Sequence, residues 1–505
     1  MSKAKEFLSC RDVLWCMVFC GFAINYMLRI NLNIAIVAMV VPRPHPAIAV
    51  QCAVEDDISR WKNVSSISNV TNTSLPISTT ILPINTTNET RFHWNEYQQG
   101  LALSGYYWLH WLTQLPGGIL ARRYGTKFVF GMANIMTAML GFLSPAAAKY
   151  DINALLFIRI IQGFVAGFSW PAMHALTAKW IPLNERSKFV SAYLGSSIGA
   201  AITYPMCAIV IDWYGWEAVF YVTSLIATIW YVFWIFLVYD SPQQHPRIGE
   251  DEKSYILENL AGSVADRERN IPWKAILSSK PLWILITAQW GGAWGFLTLM
   301  TQAPSYFNYI HGWNIHATGI LSGLPHITRM AFAYFFSVFC DWLLRTKRMT
   351  VSNVRKLATF MCSGGQGILT LGLGLSGCHP IMAVIFMIAG TTINGAISAG
   401  PLASFVDLSP NYASVLLGLS GLVTLCGGFL SPMIVGILTN NNQTIEQWRY
   451  VFIIAAANLW VSCIVYMLFG TSEEQPWNRH GQTDKEKGEE LQKLKSKSET
   501  GDQIN

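Results

Sequence analysis

The sequence predicts an all-α integral membrane protein, with twelve transmembrane helices in two six-helix bundles. Charged residues make up 13% of the 505 residues, about half of the roughly 25% that is typical of soluble domains. Hydrophobic residues reach 52%, and the mean hydropathy is +0.33. Because a helix needs roughly 20 apolar residues to cross a bilayer core of about 30 Å, the chain has room for about a dozen spans. These values exclude a soluble fold and a largely disordered chain.

Twelve apolar runs, separated by polar segments, are the candidate spans. They cover residues 14–41, 98–121, 127–149, 154–181, 189–211, 217–239, 282–306, 316–344, 357–377, 381–405, 412–438 and 449–470. The first run follows Lys3, Lys5 and Arg11, as in a signal peptide. It is too long for a signal sequence, contains Arg29 and lacks a small-residue cleavage site, so we expect it to remain as the first helix.

A polar, charged stretch divides the spans into six and six. The sequence therefore predicts a short N-terminal segment, a first bundle, a central loop, a second bundle and a Lys/Glu-rich tail expected to be disordered, over residues 1–13, 14–240, 241–281, 282–470 and 471–505. Each half also carries a basic loop after its second span, Gly117 to Lys127 and Ser337 to Arg348. A doubled architecture of this kind places the substrate site at the midplane between the two bundles.

Basic residues and glycosylation signals predict the same orientation. Most lysines and arginines fall in segments on one side, which predicts that both termini are cytoplasmic. All six N-x-S/T sequons fall on the other side, where glycosylation occurs. They are Asn63, Asn69, Asn72, Asn85, Asn88 and Asn442. The first five lie in the predicted loop 42–97, which we expect to be a sugar-bearing projection.

The ten cysteines form neither a disulfide framework nor a metal motif. Most fall inside apolar runs, where they are expected to be small buried hydrophobic residues. Cys52 and Cys378 both belong to the predicted outer face, so either a bridge between them or two free thiols is compatible with the sequence. No zinc spacing, Walker loop or nucleophile elbow occurs. The sequence thus predicts no enzyme, no metal, no resident cofactor and no nucleic-acid partner.

Three arginines fall inside predicted spans: Arg29, Arg159 and Arg329. An arginine at mid-bilayer costs about 3 kcal/mol on insertion scales, so it is normally paired or faces a cavity. The first-half spans contain no deep carboxylate. The missing counter-charge is most simply a small anionic substrate, because guanidinium is a planar fork suited to carboxylate or phosphate. The alternative is that these side chains snorkel or bond to backbone carbonyls.

Two histidines fall inside the apolar runs. His110 sits mid-span, and His326 lies one turn from Arg329. Each is either a structural group or, given its ordinary pKa near 6.5, a candidate proton carrier or anion donor. Gly163 and Gly167, four residues apart, are expected to let helices approach closely.

Several strings match one family in order along residues 14–478. They are RINLN at Arg29, TQLPGG at Thr113, RIIQGFVAG at Arg159, WPAMH at Trp170, KWIPLNERSK at Lys179, GWEAVFYV at Gly215, SPQQHPRI at Ser241, DLSPNYAS at Asp407 and EEQPWN at Glu473. The chain resembles the anion/cation symporters of the major facilitator superfamily, which include type I sodium–phosphate cotransporters, sialin and the vesicular glutamate transporters. It looks most like the invertebrate members described as inorganic phosphate cotransporters.

The resemblance implies an alternating-access carrier of inorganic or organic anions, driven by Na⁺, H⁺ or membrane potential. The family's first-span and fourth-span arginines line the central cavity and correspond to Arg29 and Arg159. Family members often have a tyrosine where His110 stands and an aromatic residue where Trp170 stands, so both positions are expected to face substrate.

Three departures from the family pattern bear on substrate and coupling. Ala166 stands where sialin and the glutamate carriers have a glutamate linked to proton coupling. Gly292 and Leu103 stand where the glutamate carriers have an arginine and a histidine. Glutamate and sialin-type proton coupling are therefore disfavoured. Arg329 is expected to restore positive charge from the second half, in which case Arg329→Gln should abolish uptake.

The leading expectation is Na⁺-coupled symport of inorganic phosphate. The first alternative is an H⁺- or potential-driven carrier of sialate, urate or another monocarboxylate. An alternative of a different class is a non-transporting membrane receptor or scaffold. The sequence favours the plasma membrane over a lysosomal or vesicular membrane, although it carries no decisive sorting signal.

Overall fold

The computed structural model describes residues 9–41, 91–181, 189, 191–260, 271–410 and 412–479. Within these residues the chain is helical, and its only β contact is an isolated bridge between Val40 and Phe92. Five of the predicted glycosylation sites (Asn63, Asn69, Asn72, Asn85 and Asn88) and Cys52 lie outside the described residues.

The helices of the first half are α1 Cys10–Met39, α2 Glu96–Gly105, α3 Gln114–Tyr124, α4 Thr126–Tyr150, α5 Ile152–Ala166, α6 Ser169–Trp180, α7 Gly195–Tyr214 and α8 Trp216–Leu237. The connecting segment holds α9 Glu250–Leu260 and α10 Trp273–Leu277. The second half holds α11 Lys280–His311, α12 Ile315–Arg345, α13 Val351–Thr359, α14 Gln366–Leu375, α15 Pro380–Ile393, α16 Pro401–Leu408, α17 Ala413–Thr424, α18 Gly427–Leu438 and α19 Ile445–Phe469. Short 3₁₀ segments cover Pro242–Gln244, Ser191–Leu194, Asn394–Ser398 and Pro476–Arg479, and a π-helical segment covers Phe360–Gly365.

Ten stretches of the described chain are long and apolar enough to cross a membrane. The other two predicted spans, 98–121 and 357–377, are interrupted. The first breaks between α2 and α3, and the second carries the π-helical segment between α13 and α14. Non-α backbone at membrane depth is tolerated only where protein covers it or where it lines a cavity. The interruptions therefore indicate where a site could lie.

The predicted glycosylated loop leaves and re-enters the bundle at one place. Phe92 N–H donates to the Met39 carbonyl at 2.7 Å, and Val41 N–H donates to the Phe92 carbonyl at 3.0 Å. We call this end of the bundle the loop side and the opposite end, where α1 begins, the terminus side. Asn442, at the start of the turn before α19, is half-buried at the loop side, and its glycosylation stays a prediction.

The connecting segment is fastened to the terminus side of the first half. On α9, the Glu252 carboxylate accepts hydrogen bonds from the backbone N–H groups of Cys10 at 3.1 Å and Arg11 at 3.2 Å. It also accepts one from Arg11 Nε at 3.0 Å. A carboxylate at this position satisfies orphan amides and complements the dipole of α1.

The expected disorder of the whole tail is wrong for residues 471–479. Trp477 is 7% exposed and packs in the core of the second half. The Ser409 hydroxyl donates to Asn478 Oδ1 at 2.6 Å, and Gln475 N–H donates to the Leu408 carbonyl at 3.0 Å. Burial of the Trp477 indole and these hydrogen bonds stabilise an ordered conformation of this segment despite its polar composition. Residues 480–505 lie outside the described chain.

The polar contacts that join the two halves, among the described residues, all lie toward the loop side. The Tyr204 hydroxyl of α7 donates to the Met300 carbonyl of α11 at 2.5 Å. The Tyr309 hydroxyl donates to Gln99 Oε1 at 3.1 Å, and His316 Nε2 lies 3.2 Å from an Asp212 carboxylate oxygen. The bundles are thus closed against each other at the loop side.

Glycines make the loop-side closure tight. Helix α2 packs on α18, and α7 packs on α12. A Cβ on Gly100 would come within 2.6 Å of the Pro432 carbonyl oxygen, and a Cβ on Gly323 would come within 2.5 Å of the Ala201 carbonyl oxygen. Side chains at these positions would force the halves apart, so the glycines permit the closed arrangement.

Cys378 is disulfide-bonded. It lies in the turn between α14 and α15, on the loop side. The remaining residue of the predicted pair, Cys52, is outside the described residues.

Candidate anion-binding site

The second span is broken at the point where the site forms. Residues 106–113 are turns between α2 and α3. Gly163 and Gly167 press directly on this segment, since a Cβ on Gly163 would overlap the Tyr106 carbonyl and a Cβ on Gly167 would overlap the Thr113 side chain. The predicted packing role of the two glycines is confirmed. Their close approach carries His110 into the centre of the first half.

Arg29 and His110 form a direct hydrogen bond inside the first half. Arg29 Nη2 lies 2.8 Å from His110 Nε2, and the two residues are 4% and 1% exposed. Because a guanidinium has only donors, His110 Nε2 must be the acceptor. His110 Nδ1 then carries the proton and donates to the Gly163 carbonyl at 3.0 Å. Arg29 Nε is buried and has no hydrogen-bond partner.

Arg159 holds the backbone of α1 at Arg29. Its Nη2 donates to the Arg29 carbonyl at 2.8 Å. Its Nη1 donates to Gln162 Oε1 at 3.1 Å and to the Leu28 carbonyl at 3.4 Å. The guanidinium is 1% exposed and satisfied mainly by carbonyl groups, the alternative that the sequence left open. Arg159 therefore positions Arg29 through its two terminal nitrogens, and its own Nε, like that of Arg29, is buried without a hydrogen-bond partner.

Aromatic rings and not carboxylates surround the two arginines. The rings of Tyr26, Tyr106 and Tyr107 lie 4.8, 5.3 and 5.6 Å from Arg29 Cζ. Tyr106 also lies 5.0 Å from Arg159 Cζ. Among the described residues no carboxylate forms an ion pair with either arginine; the half-buried arginine–carboxylate pair of the second half, Arg355 with Asp407, is elsewhere. The first half thus holds two buried cations that contact neutral hydrogen-bond partners and aromatic faces.

Arg329 lies in the second half and is oriented by an amide network. Its Nε donates to Asn394 Oδ1 at 3.0 Å, and its Cζ lies 4.2 Å from the centre of the Phe296 ring. Asn394 Nδ2 in turn donates to Gln366 Oε1 at 2.8 Å and to the Gly292 carbonyl at 2.9 Å. Asn394 opens the 3₁₀ segment between α15 and α16, so a second helix break also supports the site.

The amide network reaches the position where glutamate carriers have an arginine. A Cβ on Gly292 would come within 2.9 Å of Ile397 Cδ1, so a side chain at this position would require the Ile397 side chain to move. The Gly292 carbonyl instead holds Asn394, which holds Arg329. That Arg329 replaces the missing second-half charge stays a prediction, and this connection supports it.

Tyr26 links the two arginine sites. Its ring lies 4.8 Å from Arg29 Cζ in its own helix, and its phenol is also within electrostatic range of Arg329 across the interface. Both guanidinium groups therefore lie near one phenol at the boundary between the bundles.

The other two predicted site residues, His326 and Trp170, have different surroundings. His326, 3% exposed, stacks on the Tyr204 ring at 5.9 Å and meets the Phe296 ring edge-on at 5.8 Å. It is wedged between the halves beside Arg329. Trp170 packs on Phe22 at 4.7 Å, two turns of α1 away from Arg29 toward the terminus side. Their predicted substrate contacts stay predictions.

Sequence reasoning missed five residues that shape the site: Tyr26, Tyr106, Tyr107, Gln366 and Asn394. One signal was present: an Asn-Gly pair at residues 394–395 inside an apolar run indicates a break. The tyrosines gave no such signal, because aromatic residues are common throughout this chain.

Two helical halves with broken helices at their interface define a membrane transporter of the major facilitator class. The model of the Major Facilitator Superfamily matches residues 18–363. The chain is a multi-pass membrane protein and belongs to the anion/cation symporter family of that superfamily, which includes the vesicular glutamate transporters and the type I phosphate cotransporters.

Curated relatives and solved structures agree with this assignment. The chain is 33% identical over 417 residues to "Vesicular glutamate transporter 2" of Homo sapiens, covering 82% of this chain and 71% of that protein. It is 32% identical over 469 residues to "Putative inorganic phosphate cotransporter" of Drosophila ananassae, covering 92% and 93%. A bacterial homolog of the human lysosomal transporter Spinster, solved in an inward-facing, unoccupied conformation, matches with a TM-score of 0.65 at 12% identity over 94% of this chain and all (100%) of that one. A D-xylose–proton symporter matches with a TM-score of 0.55 at 12% identity, covering 89% and 97%. These two structures support the fold alone.

Proposed function

We propose that this protein is a secondary active transporter of a small anion, with inorganic phosphate as substrate and Na⁺ as the coupling ion. One observation carries the anion assignment: Arg29 is buried, keeps an unused Nε donor and has no carboxylate partner among the described residues. An anion that accepts from this fork would supply the missing charge and hydrogen bonds. Phosphate in particular is supported by the relative named as a phosphate cotransporter, which aligns over nearly its whole length.

Arg329 would complete the site from the second half. Its Nε is used by Asn394, so its two terminal nitrogens remain for the anion. A substrate held by Arg29 in one bundle and Arg329 in the other would contact both halves. Rocking of the bundles about such a site is the basis of alternating access. The loop-side closure fits a state that opens toward the terminus side.

We further propose that the terminus side is cytoplasmic and that the protein resides in the plasma membrane. The excess of basic residues in the terminus-side segments supports this orientation. The six sequons are proposed as glycosylation sites, and Asn442, the one within the described residues, lies at the loop side.

A second candidate is an H⁺- or potential-driven carrier of sialate, urate or another monocarboxylate. The Arg29–His110 hydrogen bond favours it, because a titratable group sits directly on the candidate anion ligand. A guanidinium binds carboxylate as readily as phosphate. The vesicular glutamate transporters among the relatives also support an organic anion.

A substrate-by-ion uptake matrix tests these functions. Purified protein in liposomes would be offered labelled phosphate, sialate and urate, each with an inward Na⁺ gradient, an inward H⁺ gradient or a membrane potential. Phosphate uptake that requires the Na⁺ gradient is the expected result. Uptake of a monocarboxylate without Na⁺ would establish the second candidate instead. Saturable anion binding without flux in any arm would establish a receptor or scaffold.

A further inference from the structure

We infer that His110 takes up one proton when an anion binds Arg29, so that anion binding and proton binding are linked at this site. The inference rests on the proposed anion site at Arg29. It assigns His110 reversible proton binding in addition to contact with the anion.

Both ring nitrogens of His110 are committed in the present structure. Nε2 accepts from Arg29 Nη2 at 2.8 Å, and Nδ1–H donates to the Gly163 carbonyl at 3.0 Å. A further proton could be placed only on Nε2, which would then point one donor at another and set two positive charges side by side. While Arg29 holds this contact, His110 must stay neutral.

An anion changes this balance because it competes for Arg29. Carboxylate and phosphate oxygens accept two parallel bonds from a guanidinium, which are stronger than one bond to a neutral ring. When Arg29 turns to the anion, the Nε2 lone pair is released. A hydronium ion can then protonate Nε2: one of its O–H bonds breaks, the electron pair stays on the water oxygen, and the new N–H donates to the anion. The reverse transfer returns the proton to water when the anion leaves and Arg29 moves back.

The charges around the imidazole support this sequence. The charged or titratable groups that face it are Arg29 from α1, Arg159 one turn from Gly163 on α5, and Tyr106 and Tyr107 from its own segment. Gln114 Nε2 also lies 3.4 Å from His110 Nε2. No carboxylate among the described residues is near enough to hold a proton on the ring without the anion. The anion itself is the group that would make a charged His110 favourable, and by linkage the proton would strengthen anion binding equally.

The test is anion exchange in liposomes at equal pH on both sides, between about pH 5.5 and pH 8, where histidine titrates. Labelled sialate is one probe, because its charge is constant over this range, and labelled phosphate is the other. In the alkaline part of this range, we expect the anion concentration that half-saturates the wild type to fall by up to about tenfold for each unit by which the pH is lowered. Phosphate's own ionisation affects every variant equally, so the comparison between variants isolates the histidine.

His110→Gln is the central variant. A glutamine can accept from Arg29 and donate to Gly163, but it cannot take up a proton. We expect its half-saturation to vary less than about twofold over the pH range. His379→Gln is the matched control, because His379 is exposed on the loop side, and it should keep the wild-type slope. Equal slopes in wild type and His110→Gln would overturn the inference.

A measurement on wild-type protein alone guards against misfolding of the variant. Sialate added to weakly buffered, detergent-solubilised protein with a pH-sensitive dye should cause uptake of about one proton per bound anion. Binding without proton uptake would overturn the inference and leave the anion site intact. A wild type that exchanges neither sialate nor phosphate at any pH would overturn the proposed function and this inference together.

Discussion

The two halves of the molecule hold their interface arginines in different ways. Arg29 in the first half is held by an imidazole and surrounded by three tyrosine rings. Arg329 in the second half is held by the Asn394 amide and lies on one phenylalanine ring. Amides keep the same charge at every physiological pH, whereas an imidazole does not. The hydrogen bonding of Arg29 in the first half can therefore change with pH, while Arg329 in the second half presents a fixed charge.

Removal of the first-half charge at Arg29 is expected to have the largest effect on uptake. Arg29→Gln leaves the tyrosines facing an uncharged group and deletes the fork that would bind the anion. We expect initial uptake of the transported anion to fall by at least about 100-fold, in line with the loss of a buried charged contact worth about 2–5 kcal/mol. Arg123→Gln is the control, because Arg123 is an exposed arginine of the same half. Uptake by Arg29→Gln within a few-fold of this control would contradict the proposed site.

Removal of the second-half charge tests whether the fixed arginine is needed as well. Arg329→Gln should lower the initial rate of uptake at low substrate by about 10- to 100-fold. The protein should still reach the membrane, since Phe296 and Asn394 remain packed. Arg348→Gln, which removes an exposed arginine of the second half that lies 4.8 Å from the Trp342 ring, is the control. Unchanged uptake by Arg329→Gln would show that the anion is bound by the first half alone.

A smaller effect is expected when the second-half arginine is kept but its orientation is loosened. Asn394→Ala removes the acceptor of Arg329 Nε and leaves the Gln366 amide without its donor. We expect half-saturation to rise by about 3- to 10-fold, the equivalent of one hydrogen bond of about 1 kcal/mol, with little change in maximal rate. Asn353→Ala, at an exposed asparagine on α13, should leave both unchanged. If maximal rate falls and half-saturation stays constant, Asn394 serves the movement of the bundles and not the orientation of Arg329.

The number, order and doubling of the spans could be predicted from the sequence because each span must bury its backbone and therefore shows a long apolar run. The same run hides where a helix breaks. Residues 106–113 are themselves apolar and more aromatic than their flanks, and the break coincides with the close contacts that Gly163 and Gly167 make with this segment. Such a contact is a property of the packed bundle and leaves no local signal.

The site was predicted in part for the same reason. A charge in the middle of a span identified Arg29 and Arg159 as unusual. Their different roles depend on which groups each guanidinium contacts in the folded protein. Arg159 reaches the carbonyls of Leu28 and Arg29, and these acceptors become known only when α1 and α5 are side by side. Trp477 is a second case in which the packing could not be predicted. Its indole lies in a polar tail, and the composition of that tail does not indicate that the indole packs in the core of the second half.

The contact between Val40 and Phe92 has a practical consequence for handling this protein. Backbone hydrogen bonds join the residues that flank the stretch 42–90, so the described chain itself holds the end of α1 beside the residues that precede α2. The entropy of closing a loop grows only slowly with its length. A longer stretch, such as one carrying an affinity epitope or a fluorescent reporter, is therefore expected to cost little free energy of folding.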